Sequence, residues 1–189
     1  AYSTFQSIFL YQNKLTGELP SIKGSELYGF GASGNALSGT IPEGYFNSSI
    51  MLNLFLDNNQ LSGSIPDVFP YDCMFEALHL HANRLAGSLP SSLRNCGSFL
   101  TTLLVHNNSL GGNIEVDLFN SSAYLKSLLL HSNTFDGKVD FLEMLPEKTL
   151  EEVSLDSNNF VGNLPTRLFN SSSLRVFSAG NNCFEGGLG

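Results

Sequence analysis

The sequence predicts a solenoid of eight stacked coils, mostly β-strand, and three observations predict it. First, an asparagine recurs as Asn13, Asn35, Asn59, Asn83, Asn108, Asn133, Asn158 and Asn182, at spacings of 22, 24, 24, 25, 25, 25 and 24 residues. Second, the residues three before it (Leu10, Ala32, Leu56, Leu80, Val105, Leu130, Leu155, Ala179) and five before it (Ile8, Phe30, Leu54, Leu78, Leu103, Leu128, Val153, Phe177) are apolar in every unit. Third, an apolar residue stands two after it, from Leu15 to Phe184, and a glycine four after it, from Gly17 to Gly186. Self-similarity at this period is the mark of a repeat architecture in which neighbouring units bury one continuous core.

Each column has a physical reason. Apolar residues two apart make a short strand with one buried face. The register asparagine falls where the chain leaves that strand. There its amide both donates and accepts, so it can pair backbone groups of neighbouring coils that would otherwise be buried bare. The glycine permits a φ that other residues resist. Pro20, Pro42, Pro66, Pro90 and Pro165 close units by favouring an extended or turn conformation. Phe46, Phe69, Phe119 and Phe169 fall on the return stroke and are expected to stack as an aromatic spine inside the coil. Three of these belong to one phrase, YFNSS from Tyr45, LFNSS from Leu118 and LFNSS from Leu168, which reads as the return segment rewritten coil by coil.

Composition narrows the function classes. Lys+Arg 9 against Asp+Glu 17 gives a net charge of −8, which argues against a nucleic-acid partner. No apolar run reaches the ~18 residues of a membrane span, and the first residues do not read as a signal peptide. Only 14% of residues are charged, so Asn, Ser and Gly, all turn formers, make up much of the polar surface.

The stretch LNLFLDNNQLSGSIP (Leu52 to Pro66) resembles the plant-type extracellular leucine-rich repeat, L-x-x-L-x-L-x-x-N-x-L-S-G-x-I-P, as does FEALHLHANRLAGSLP (Phe75 to Pro90). The resemblance covers essentially the whole chain. It implies a leucine-rich-repeat right-handed solenoid with a parallel sheet on the concave side, and short extra strands and 3₁₀ turns on the convex side. Members of that family include receptor ectodomains and polygalacturonase-inhibitor-like proteins. They bind proteins, peptides or glycans, usually by the concave face, at the cell surface or outside the cell. Two features depart from it: the paired-cysteine N-terminal cap has no counterpart, and the Ile-Pro tail is lost at Ile114-Glu115, Val139-Asp140 and Leu188-Gly189. With no clear caps, residues 1–189 are expected to be one solenoid, a segment of a longer protein.

Strand positions four and two before each asparagine alternate with buried ones and so face the concave solvent side. The first column supplies Phe9, Phe55, His79, Leu104 and Leu129; the second supplies Tyr11, Asp57, His81, His106, His131 and Asp156. All four histidines lie in these columns. His81, His106 and His131 are expected to form a ladder at roughly the 5 Å strand spacing, with Asp57 and Asp156 at its ends. Exposed apolar groups rimmed by polar ones mark an interaction site, so these eleven residues are the candidate ligand contacts. A ladder produced simply by duplication is the alternative. A flat row of imidazoles does not converge as a tetrahedral metal site. An ordinary pKa near 6.5 makes the row a candidate pH sensor between about pH 5 and 7.

Four N-x-S/T sequons occur, at Asn47, Asn107, Asn120 and Asn170. Three share the convex FNSS turn, and Asn107 borders the ladder. Cys73 and Cys96 lie on adjacent coils at nearly the same stage of the return stroke. They form either a disulfide, if their Cα atoms come within ~7 Å, or two buried thiols. Ser154, His131 and Asp156 share a face, but a sheet surface supplies neither pocket nor oxyanion hole, so no enzyme is expected. No cofactor is expected either. An ice-binding face would need regular threonine columns, which are absent. The expected function is recognition of a protein, peptide or glycan. The alternative is a structural element of a cell-surface, cell-wall or filament assembly, whose partners would be neighbouring subunits.

Overall fold

The computed structural model describes residues 5–22 and 26–187. Two parallel sheets of eight strands run its length. The concave sheet holds β1 (Ser7–Phe9), β3 (Gly29–Gly31), β5 (Asn53–Phe55), β7 (Ala77–His79), β9 (Thr102–Leu104), β11 (Ser127–Leu129), β13 (Glu152–Ser154) and β15 (Val176–Ser178). The second holds β2 (Thr16–Glu18), β4 (Ala36–Thr40), β6 (Gln60–Gly63), β8 (Arg84–Gly87), β10 (Ser109–Asn113), β12 (Thr134–Lys138), β14 (Asn159–Gly162) and β16 (Cys183–Phe184). Each coil contributes one strand to each sheet, so every strand pairs with the same strand of the next coil. Leu103 stands beside Leu128 and Leu128 beside Val153.

The register asparagines hold this stack. Asn133 Nδ2 donates to the carbonyls of Leu130 (3.0 Å) in its own coil and Val105 (3.1 Å) in the coil before. Its Oδ1 accepts the Leu110 N–H at 2.9 Å. The same donor and acceptor bonds to the preceding coil recur at Asn35, Asn59, Asn83, Asn108, Asn158 and Asn182. Among the described residues Asn13, in the first coil, bonds only to its own Leu10 and Tyr11 carbonyls. The glycine column adopts φ between 73° and 87° at all eight positions. A residue with a Cβ resists that conformation, which explains its invariance among the coils.

Between the sheets lies a single apolar core of aligned leucines and phenylalanines, including Leu54, Leu78, Leu103, Leu128 and Phe160. Burying each such side chain stabilises the stack by about 1.5–3 kcal/mol. The return strokes carry 3₁₀ turns at Glu43–Tyr45, Ser91–Cys96, Asp140–Met144 and Thr166–Asn170. The expected aromatic spine forms only in part. Phe46 and Phe69 meet edge to face at 5.3 Å, but Phe119 packs on Phe141. Phe169 is 51% exposed and touches Phe177, because it lies on the outermost described return stroke with nothing stacked over it. Cys73 and Cys96 are joined by a disulfide, with Cα atoms 4.8 Å apart. The lost Ile-Pro tail at residues 188–189 lies outside the described residues.

Candidate functional site

The two outward columns emerge as neighbouring rows. Strand pairing sets Phe55 beside His79, His79 beside Leu104, Leu104 beside Leu129 and Leu129 beside Ser154. Just past the strands the backbone keeps the same register. Asn58, Ala82 and Asn107 donate their N–H groups to the carbonyls of His81, His106 and His131, each at 3.0 Å. The three imidazoles therefore stack, with ring centroids 4.3 Å apart at both steps and planes inclined by 13° and 21°.

Aromatic rings continue the row toward the first coil. The second coil presents Gly29 and Gly31, so Phe9 and Tyr11 of the first coil lie across it. A Cβ at Gly31 would come 2.4 Å from the Tyr11 ring. Phe9 stacks on Tyr11 at 5.4 Å, Tyr11 approaches Phe55 at 6.4 Å, and Phe55 meets His79 at 4.7 Å. Phe9 and Tyr11 are 51% and 41% exposed, unusual for large rings in contact with so many others. His79 is anchored by a 2.9 Å hydrogen bond between its Nε2 and the Thr102 hydroxyl.

The two carboxylates differ. Asp57 faces His81 Nε2 at 3.6 Å and is held by Ser33 Oγ (2.6 Å) and Asn58 Nδ2 (2.8 Å). Asp156 does not close the other end as expected. It accepts from Ser154 Oγ, Ser178 Oγ and the Gly180 N–H, which turns its carboxylate toward the following coil. Those bonds hold Asp156 below the ordinary carboxylate range against the opposing effect of burial, which is the largest single influence on it. Ser154 thus bonds an aspartate directly rather than a histidine. Among the described residues no group of three or more His, Cys, Asp or Glu converges for a metal ion.

His79, His81 and His106 depart from the expected pKa near 6.5. Burial, and then the neighbouring imidazoles His81 and His131, push His106 down to about 4, against the raising influence of Asp57. Burial lowers His79 and His81 as well, again opposed by Asp57. The inner Nδ1 atoms of His81, His106 and His131 are sealed from solvent with no hydrogen-bond partner.

The leucine-rich-repeat family model matches residues 51–71. Among solved structures, the chain superposes on the plant peptide hormone receptor RGFR1 in complex with RGF2 at a TM-score of 0.84. That match has 27% identity and covers 95% of this chain and 28% of that one. The chain is a leucine-rich-repeat solenoid. It superposes equally on PEPR1 in its AtPEP1 complex, at a TM-score of 0.83 and 31% identity, covering 96% of this solenoid and 26% of PEPR1. A plant ice-binding protein shares the fold at a TM-score of 0.75 and 22% identity, with 96% and 66% covered. The solenoid thus spans about a quarter of the length of these two receptor structures. No curated protein sequence matches it.

The depressed histidines tie the stability of the leucine-rich-repeat solenoid to pH. Between about pH 6.5 and 4 the unfolded chain binds more protons than the folded one, so acidification favours unfolding; above that window both states are neutral. For a half-exposed ring, solvent screening reduces the loss from His106 to roughly 1–2 kcal/mol. Urea unfolding at pH 7, 6 and 5 is expected to show this decline, and His106→Gln to flatten it.

Asn47, Asn107, Asn120 and Asn170 are all exposed, and Asn120 lies in an open polar hollow with Tyr71, Arg94 and Asp117. Cys183 is an exposed free thiol. Three supporting residues escaped the sequence reading: Ser33 and Asn58, which hold Asp57, and Thr102, which holds His79. Extending the period-two alternation back from Leu104 to Thr102 would have found the last. The residue before each register asparagine was also missed. Gln12, Asn58, Ala82, Asn107, Ser132, Ser157 and Asn181 take left-handed φ of 52–56° and Gly34 one of 68°, and only the glycine and the asparagines in that column hinted at it.

Proposed function

We propose that this solenoid is an extracellular recognition module that binds an extended peptide along its concave sheet. The observation that carries the reading is the continuous outward row of Phe9, Tyr11, Phe55, His79, Leu104 and Leu129, largely apolar and partly exposed, beside a row of polar edges. An apolar strip rimmed by hydrogen-bonding groups suits a peptide laid across the strands. The likeness to receptors solved with RGF2 and AtPEP1 supports the same reading. A disulfide between Cys73 and Cys96 suits an oxidising compartment. Glycans at Asn47, Asn120 and Asn170 would leave the concave face free, whereas one at Asn107 would border it.

A peptide-display selection tests the proposal. Peptides enriched on the wild-type protein are expected to lose tenfold or more in affinity on the Phe55→Ala, Leu104→Ala variant. They should keep it on a convex Tyr71→Ala control. Enriched peptides indifferent to the concave substitutions would move the site elsewhere. A selection that enriches none would favour a structural role in an assembly.

A further inference from the structure

The stacked imidazoles present their edges, not their faces, to the concave side. Their inner Nδ1 atoms are buried without partners. A proton placed there would be an unpaired buried donor, costing more than an unpaired acceptor, so in the neutral ring the proton sits on the outer Nε2. Three N–H groups then point outward in a row.

At the first rung, the protein itself supplies the counterpart: the carboxylate of Asp57 faces His81 Nε2. The outer nitrogens of His106 and His131 are not among the sealed atoms, and no described side chain bonds them. Neighbouring acids leave both edges open. Asp57 is occupied by Ser33, Asn58 and His81, Asp156 is turned toward Ser178 and Gly180, and Glu152 accepts from Ser127. With rings 4.3 Å apart, the two oxygens of one carboxylate can each accept one N–H at about 2.8 Å.

Resting on the peptide reading above, we infer that the outer edges of His106 and His131 form a subsite for a carboxylate of the bound peptide, placed as Asp57 places its own against His81. Leu104 and Leu129, alongside, take the neighbouring apolar side chain, so the fitting sequence alternates acidic and apolar residues. A sugar would need open ring faces to stack on, and here the rings cover one another's. Parallel rings also cannot converge their nitrogens on a metal ion.

Binding is coupled to a proton. In the free protein, burial and the facing His79, His81 and His131 keep His106 uncharged, with Asp57 the one opposing influence. A bound carboxylate supplies the missing negative charge and so offsets part of the cost of the second proton, which the charged ring must place on its buried Nδ1. Burial persists in the complex, so the pKa recovers only part of the way from about 4 toward ~6.5, and affinity rises several-fold between pH 7 and pH 5, below the roughly twentyfold of full recovery.

The test uses Ac-Leu-Glu-Leu-Glu-Leu-amide and its Gln analogue, by calorimetry at pH 7 and 5 and by imidazole ¹⁵N NMR. The expected result is an Nε2–H tautomer at pH 7, several-fold tighter binding of the Glu peptide at pH 5 with net uptake of protons, and no such gain for the Gln peptide. The gain should vanish in His106→Gln, His131→Gln, whose folding is checked by circular dichroism. Glu and Gln peptides binding alike at both pH values would overturn the carboxylate subsite and leave the peptide reading intact. If neither peptide binds, sodium acetate that raises the His106 pKa would keep the subsite and overturn the peptide reading; acetate without effect would overturn the subsite as well. An oligouronate binding in place of both peptides would overturn the assignment to peptides.

Discussion

An Asn133→Ala variant is expected to unfold with a free energy about 3–5 kcal/mol below wild type in an equilibrium urea titration. The substitution strands the Leu110 N–H and removes one of the two asparagine donors to each of the Val105 and Leu130 carbonyls, which keep Asn108 and Asn158 respectively. Asn133 is 9% exposed and Val105, Leu110 and Leu130 are fully buried; the orphaned N–H costs about 1–3 kcal/mol and each lost bond to a carbonyl about 0.5–1.5 kcal/mol. Asn13 provides the control, since it is exposed and bonds only carbonyls of its own coil. Asn13→Ala should lose less than about 1 kcal/mol. Equal losses from the two variants would show that the asparagine contributes through local turn formation and not by joining coils.

Removing the disulfide is expected to have the next largest effect. Cys73 and Cys96 are 23 residues apart, and tethering a loop of that length restricts the unfolded chain by about 3 kcal/mol. The bond is buried within the return strokes of adjacent coils, beneath the exposed Tyr71 turn. Cys73→Ala, Cys96→Ala should therefore lower the melting temperature by roughly 6–12 °C. Reductant should lower wild type by a similar amount and leave the double variant unchanged. A wild-type melting temperature indifferent to reductant would refute a stabilising bridge.

How much of this was legible in the sequence depends on the range of the determining contacts. The coil register was fully readable, because the column of asparagines is also the column of inter-coil hydrogen bonds. The stacking of His81, His106 and His131 followed from it directly. The lowered pKa of His81 and His106 did not, since it arises from burial against neighbouring coils, and a sequence column says only that a residue faces outward. The orientation of Asp156 was hidden for a similar reason: its partner Ser178 lies 22 residues on, in a column read as solvent-facing. Phe9 and Tyr11 were placed correctly on the face. Their lean across the second coil depends on Gly29 and Gly31, whose missing side chains leave no mark in a hydrophobic pattern. Phe169 was misplaced because a recurring phrase hides the difference between a stroke with a neighbour on each side and an outermost one.

The asparagine bonds reach one coil back and no further, which makes the length of the imidazole row a quantity that gene rearrangement can change in whole steps. Copying the segment from one register asparagine to the next would insert a fourth ring between two existing ones with its backbone partners already in place. Losing such a segment would shorten the row by one and close the gap. Ligand length could in this way be tracked by adding or deleting units, without redesigning any contact within a unit.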